Sequence, residues 1–256
     1  MELDEIKTFF FDIDKTLLNW DETITGAEDL IYTLRNADRH VRLHTDNSIL
    51  TRQQYAEKLS SMGIPAEEEE ILTSSHVTAR HLSKEGVTEV YAVGESGLIE
   101  ELEAEGIEVK QDADRAVVGL DRQFNYDKLT RVKNIADRGG KIYLLSTEKT
   151  FRRKQRELPH QGVTNPAFRE LGETVLTGKP GQIYRDRFRE YFSYFPDRSL
   201  MVGDRAEDIE TGNRLGMKTA AVMSGDLDKD SMKNLDELEK PDIGISHLSR
   251  IRKKII

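Results

Sequence analysis

Asp12 and Asp14 follow the apolar run Thr8-Phe9-Phe10-Phe11, with one residue between them. Thr45-Asp46-Asn47-Ser48 follows Val41–His44, Gly178-Lys179-Pro180 stands before a helical pattern, and Asp204 follows Leu200-Met201-Val202-Gly203, with Asp208 four residues on. Taken singly, each has a plain reading as turn, cap or loop. Together they have a chemistry. Asp12, Asp14 and Asp204 converging would form a hard, all-oxygen, anionic site suited to Mg²⁺. Without a cation, three such carboxylates would repel one another and take up protons. Lys179 suits a phosphate and the charge that builds on a transferring phosphoryl group. The Thr45 hydroxyl and the neighbouring Asp46 and Asn47 positions, through backbone N–H groups, can donate to phosphate oxygens. The set predicts phosphoryl transfer with an aspartate nucleophile.

The elements that must position these residues read as an α/β protein. Thr8–Phe11 has the unbroken apolar character of a buried parallel strand. Thr25-Gly26-Ala27-Glu28 has capping-box spacing ahead of Leu30, Ile31 and Leu34, and Thr51 with Gln54 opens a second helix that ends at Gly63. Val41–Thr45 is a strand between them. Further strands are expected at Val90–Val93, Ala116–Gly119, Ile142–Leu145, Leu200–Gly203 and Thr219–Met223, with helices around Gly97–Glu105 and Tyr126–Arg138. This alternation predicts parallel sheets with crossover helices, which bind ligands beyond the carboxyl ends of their strands. Glu67–Glu70 reads as a solvated helix start, Arg152, Arg153, Lys154 and Arg156 as a solvated basic helix, and Arg250–Lys254 as a basic tail or last helix.

Composition bounds the function. The 256 residues carry 38 Lys+Arg against 47 Asp+Glu, a net charge of −9, which argues against nucleic acid as the main partner. No apolar run approaches the roughly 18 residues of a membrane span. The acidic start, Met1-Glu2-Leu3-Asp4-Glu5, lacks the basic region of a signal peptide. Cysteine is absent, which excludes thiolate metal sites, disulfides and cysteine nucleophiles. A cytoplasmic enzyme is expected. The histidines show no metal spacing and are expected to be surface or core residues.

The chain resembles the haloacid dehalogenase (HAD) superfamily of phosphatases. Phe11-Asp12-Ile13-Asp14-Lys15-Thr16-Leu17 is similar to its motif I, D-x-D-x-T; Thr45 to motif II; Lys179 to motif III; and Gly203-Asp204-Arg205-Ala206-Glu207-Asp208 to the acidic motif IV. The resemblance implies a Rossmann-like core in which Asp12 is the nucleophile and Asp14 the general acid and then base. It further implies that Thr45 and Lys179 hold the phosphate. Mg²⁺ would be held by Asp12, Asp14 through its backbone carbonyl, and Asp204, with Asp208 completing the metal set by orienting that shell. Motifs I and II are 45 − 12 = 33 residues apart, and motifs II and III 179 − 45 = 134, so an inserted α/β cap, of the C2 type in family terms, must lie in the second gap. The expected division is core 1–78, cap 79–177 and core 178–256. Ala116–Leu129, Thr25–Glu28 and Thr45–Ser48 resemble the NagD / 4-nitrophenylphosphatase branch in particular.

The chain departs from that branch at Lys15, where glycine is usual, and at Leu145-Ser146-Thr147-Glu148-Lys149-Thr150 and Leu158-Pro159-His160-Gln161-Gly162, where the branch reads A-T-N-x-D and P-G-x-G. Lys15 either pairs with an acid or reaches substrate, and one or two of the cap arginines either face solvent or bind a second anionic group of the substrate. The partner expected is a small phosphorylated metabolite. Relatives with this cap are often oligomeric through it, so the resemblance also allows a homo-oligomer. A phosphotransferase using the same intermediate and a HAD-like binding protein are the alternative readings.

Overall fold

A computed structural model of the protein describes residues 3–153, 156–223, 227 and 231–253, without the side chains of 152, 153 and 231. A six-stranded parallel sheet runs in the order Ile243–Ile245, Lys218–Val222, Ser199–Gly203, Thr8–Asp12, His40–Thr45, Ile71–Thr73. Thr8–Asp12 lies in the middle, paired in register with Ser199–Val202 on one side and His40–His44 on the other. The chain winds outward in one direction from this strand and later in the other, so Asp12 ends the strand at the topological switch point. Thr8–Asp12 is apolar throughout because both of its faces are covered. Phe9 and Phe11 pack with Leu30, Ile31 and Leu34 of the helix Ala27–Asn36. Phe10 points to the other face, its ring centroid 4.9 Å from Phe188 and 5.3 Å from Phe192.

A second parallel sheet, Thr174–Leu176, Ile142–Leu144, Ala116–Val118, Glu89–Val93, Glu108–Val109, is inserted between Ile71–Thr73 and Ser199–Gly203. The helix Ser74–Lys84 runs across position 78/79: Val77 packs with the first sheet's cluster, while Ala79 and Leu82 pack with the inserted one.

Several local expectations change. Thr51 and Gln54 form the capping box, and the helix runs Arg52–Ser61. Thr25 and Glu28 do not: Thr23 donates to Glu28 at 2.7 Å, and the helix starts after Gly26 at φ 87° with no side-chain cap. Arg152, Arg153 and Arg156 lie in strands rather than a helix, Thr150–Arg153 pairing antiparallel with Arg156–Pro159. A basic run carries no apolar stripe by which to fix a period, so strand pairing overrides it. The side chains of Arg152 and Arg153 and residue Lys154 lie outside the described residues. Glu67–Glu70 forms a short 3₁₀ turn over Glu68–Glu70, and Glu70 is held by Arg35 at 2.6 Å and Arg42 at 3.4 Å instead of being solvated. At the far end only Ser249–Arg252 is helical, with Lys254 outside the described residues. No described helix is long and apolar enough to cross a membrane.

A buried polar knot ties the two sheets' helices together. Glu101, on the helix Ser96–Ala104, accepts from the backbone N–H of Arg52 at 2.9 Å and from its Nε at 3.3 Å, and meets His76 Nδ1 at 3.2 Å. Burial pushes the Glu101 carboxyl up, but His76 and Arg52 outweigh it and hold it below the usual carboxylate range. Breaking a buried pair leaves an uncompensated charge, so Glu101→Ala should destabilise the fold by about 3 kcal/mol. A folded-state pKa that is depressed adds stability above the unfolded value, about 4.3, and that stability is lost as pH falls through the folded pKa. Glu101→Gln should therefore flatten the acid limb of a melting-temperature profile. A wild-type acid limb retained in the variant would remove Glu101 as its cause.

Candidate active site

Motif I forms a tight turn at the end of the central strand. Leu17 and Leu18 N–H donate to the Ile13 carbonyl, and Lys15 N–H to Leu18. Lys15 has φ 62°, the left-handed region, at a cost of about 1 kcal/mol for a side-chain-bearing residue. This is the physical reason glycine suits that position. The Lys15 ammonium pairs with Glu157 of the strand Arg156–Pro159 at 3.6 Å, so the pairing reading of Lys15 holds.

The sequence-distant residues meet. Lys179 Nζ donates to Asp12 Oδ1 at 2.8 Å and to Asp208 Oδ1 at 2.6 Å, all three being buried. Burial pushes the ammonium's pKa down, but Asp12, Asp208 and Asp46 raise it well above the ordinary lysine value. Lys179 is thus a fixed cation. Asp208 is also accounted for by its second oxygen, which accepts the Arg205 N–H at 3.2 Å and caps the helix Ala206–Arg214. Gly203 permits this approach, since a Cβ there would run into the Asp208 carboxyl. Asp204 accepts from Thr16 of motif I at 3.3 Å, which brings motifs I and IV together. Thr45 donates to Asp14 Oδ2 at 3.0 Å and accepts the Asn47 N–H at 3.0 Å. Asn47 Oδ1 in turn accepts the Ile49 N–H at 3.2 Å. Asp46 turns its carboxylate toward Lys179, accepting that residue's N–H at 3.2 Å on both oxygens, so it braces the lysine loop.

Burial pushes the Asp14 carboxyl up, and Glu148 adds to it, against hydrogen bonds from Thr45 and Asn47. Asp12 is pushed well above the usual range by burial, and further by Asp208 and Asp204, despite Lys179. Among the described residues, the buried carboxylates Asp12, Asp46, Glu148, Asp204 and Asp208 face the buried cations Lys15, Lys179 and Arg205. With Asp14 beside them, that surplus of carboxylates suits a divalent cation. Ligand atoms of Asp12, His44 and Asp208 also lie within 4.8 Å of one another. In that group, however, both carboxylates already hold the Lys179 ammonium, which would repel a metal. The Asp12, Asp14 and Asp204 side, with oxygen donors, fits a hard cation better.

Glu148 and Arg205 belong to the site and were missed as site residues in the sequence. Glu148 is buried, and its charge raises Asp12, Asp14 and Asp46. Although burial raises its own pKa, Arg205 and other cations hold it below the usual range; Arg205 lies 3.8 Å away. It follows the strand Ile142–Leu144, so the strand-end rule that located Asp12 and Asp204 points to it as well. Arg205 also donates to the Thr150 carbonyl, and Thr147 to Glu207 at 3.3 Å, which joins motif IV to the inserted segment.

Two family models match the chain, one for haloacid dehalogenase-like hydrolases over residues 9–108 and a HAD-hydrolase-like model over 176–251. A 5′-nucleotidase of Bacillus subtilis is 32% identical over 249 residues, covering 95% of this chain and 96% of that protein. The chain belongs to the haloacid dehalogenase-like hydrolases. An acid sugar phosphatase of Staphylococcus saprophyticus is also 32% identical, over 93% of this HAD hydrolase and 92% of the relative. The crystal structure of a 4-nitrophenylphosphatase from Thermotoga maritima superposes with a TM-score of 0.89 at 25% identity, covering 99% of both chains. Within the HAD hydrolases the chain falls in the NagD / 4-nitrophenylphosphatase branch, with that branch's α/β core and inserted cap.

Proposed function

We propose that this hydrolase cleaves a small phosphomonoester with Mg²⁺, through an aspartyl-phosphate on Asp12. The chain is a phosphoric monoester hydrolase of the HAD type. The observation that carries the fuller reading is the Lys179 ammonium held between Asp12 and Asp208, on a site that also gathers Asp14, Thr45 and Asp204. An Asp12 oxygen attacks phosphorus, and the leaving-group oxygen takes a proton from Asp14. Asp14, its pKa raised by burial, then removes a proton from water, which attacks phosphorus and frees Asp12 and inorganic phosphate. Lys179 stays charged throughout and balances the phosphoryl oxygens. The Thr45 hydroxyl, on turning from Asp14, and the Asp46 N–H would supply further donors, while the Asn47 N–H holds the Thr45 oxygen. Mg²⁺, held by Asp12, Asp204 and the Asp14 carbonyl with Asp208 fixing their surroundings, would supply positive charge to the phosphate oxygens.

The segment 79–177 works as the cap over a core made of 1–78 and 178–256, excluding water during turnover. The net charge of −9 and lack of cysteine support a small metabolite in the cytoplasm rather than nucleic acid or membrane. With 4-nitrophenyl phosphate as substrate, EDTA should lower turnover by about 100-fold or more, and added Mg²⁺ should restore it. Full activity in a metal-free preparation would sink the metal assignment.

A further inference from the structure

His44 is the cross-strand neighbour of the nucleophile. In the parallel pairing of Thr8–Asp12 with His40–Thr45 it stands in register with Asp12, so the two side chains leave the sheet on the same face. The chemistry proposed above does not use it. It is 0% exposed, and its ring stands nearly perpendicular to that of Phe188, with centroids 6.4 Å apart. Neither ring nitrogen has a hydrogen-bond partner among the described residues. Burial and the Lys179 charge push the imidazole well below its ordinary value, so at neutral pH it offers one donor and one acceptor. Phenylalanine or leucine would fill an apolar position without orphaned atoms, and buried polar groups of a folded protein are normally paired.

A second buried group repeats the pattern. Tyr184, on the helix Gln182–Tyr191, is also fully buried, and its hydroxyl has no partner among the described residues. Its ring lies 6.2 Å from Phe188, the ring that His44 also meets, and the charges of Lys179, Asp46, Asp12 and Asp208 all act on it. Two elements distant in the chain thus set orphaned polar atoms around the ion cluster that holds the nucleophile. The spacing defines an occupant. A ring nitrogen of His44 and carboxylate oxygens of Asp12 and Asp208 lie within 4.8 Å of one another, with no direct hydrogen bond to the ring. Two hydrogen bonds of about 2.8 Å meeting at a tetrahedral angle span about 4.6 Å, so one water closes that gap. A buried water makes about three hydrogen bonds, and the ring and the two carboxylates supply that number.

We propose that His44 is a positioning residue for the reaction: its imidazole holds one buried water against the Asp12 and Asp208 carboxylates, and through that water fixes the orientation of the attacking Asp12 carboxylate. The proposal rests on the Asp12-nucleophile reading. Lys179 already holds Asp12 Oδ1 at 2.8 Å and Asp208 Oδ1 at 2.6 Å. One hydrogen bond leaves a carboxylate able to pivot about it. A second, carried by a water on a neutral ring, removes that freedom and adds no charge to the cluster. Misplacing an attacking group by about 1 Å can lower the rate about 100-fold.

A high-resolution crystal structure of the wild-type protein reads the site directly, whether or not the variants fold. An ordered water should lie within hydrogen-bond distance of a His44 ring nitrogen and of an oxygen of Asp12 or Asp208. In 4-nitrophenyl phosphate assays, His44→Phe should lower kcat by about tenfold or more with KM within about threefold of wild type, because phosphate binding survives while the attack geometry is lost. His44→Gln keeps a donor and an acceptor, and should bring kcat back to within about threefold. A ring packed dry against its neighbours would overturn the proposal. So would a folded His44→Phe protein with wild-type kcat that, freed of orphaned nitrogens, melts about 2 °C or more above the wild type. The water present in a protein that hydrolyses no phosphomonoester would uphold the His44 site and reject the phosphatase reading.

Discussion

Asp12→Asn should lose turnover by about 10⁴-fold or more while the protein stays folded with an undiminished melting temperature. The amide lacks the carboxylate's nucleophilic charge, so no acyl-phosphate forms. Its oxygen can still accept the Lys179 hydrogen bond now made at 2.8 Å. The substitution also removes one of the carboxylates whose burial and mutual repulsion push Asp12 well above its ordinary pKa. Stability should therefore hold or rise as activity disappears, a split that a merely structural Asp12 would not produce. Single-turnover assays and thermal melts on the same preparation test both halves. Purified Asp12→Asn protein turning over within about tenfold of wild type would refute the nucleophile assignment.

Lys179→Met should remove activity and also destabilise the fold, by about 3–5 kcal/mol. The ammonium is 1% exposed and is bonded to both Asp12 and Asp208, with Asp46 bracing its backbone. Methionine fills much the same volume and leaves those acids without their shared cation. The Asp12 and Asp46 carboxyls, already raised by burial, then rise further above their unfolded values. Protonation relieves the repulsion, so the stability deficit should be largest near pH 8 and shrink toward pH 5. Lys179→Arg keeps the charge but replaces a compact ammonium with a broad planar fork, and should recover part of the stability without the activity. Urea denaturation at the two pH values measures this. A Lys179→Met protein as stable as wild type at pH 8 would show that the buried triad is not held together by its charge.

The same electrostatics explain how the cap segment acts on the site. Glu148, Thr147 and the Thr150 carbonyl meet Arg205 and Glu207 of motif IV, and Glu157 meets Lys15 of motif I. Lys15, Thr147, Glu148, Thr150 and Glu157 are thus the positions where inserted segment and core motifs touch. Lys15 carries a left-handed backbone that glycine would adopt without strain, and in exchange makes an ion pair with Glu157.

The sequence by itself determined the central strand, the order of the parallel elements, the Thr51 cap and the acids at strand ends. Each is written in a local signal: an unbroken apolar run, helical spacing, or a polar residue just past a strand. It did not determine which way side chains turn once chain segments more than a hundred residues apart are brought together. Asp46 reads as a phosphate contact through its backbone N–H, and only the fold shows that its carboxylate braces Lys179, 133 residues on. Glu28 reads as part of a cap with Thr25, but the nearby Thr23 captures it. The basic run at 152–156 reads as a solvated helix, yet Thr150–Arg153 pairs antiparallel with Arg156–Pro159. Glu148 gains its meaning only from burial against Arg205 of motif IV. Local periodicity is a property of the chain, whereas partner choice, desolvation and the sharing of one cation among several acids exist only after folding, and those decided the site.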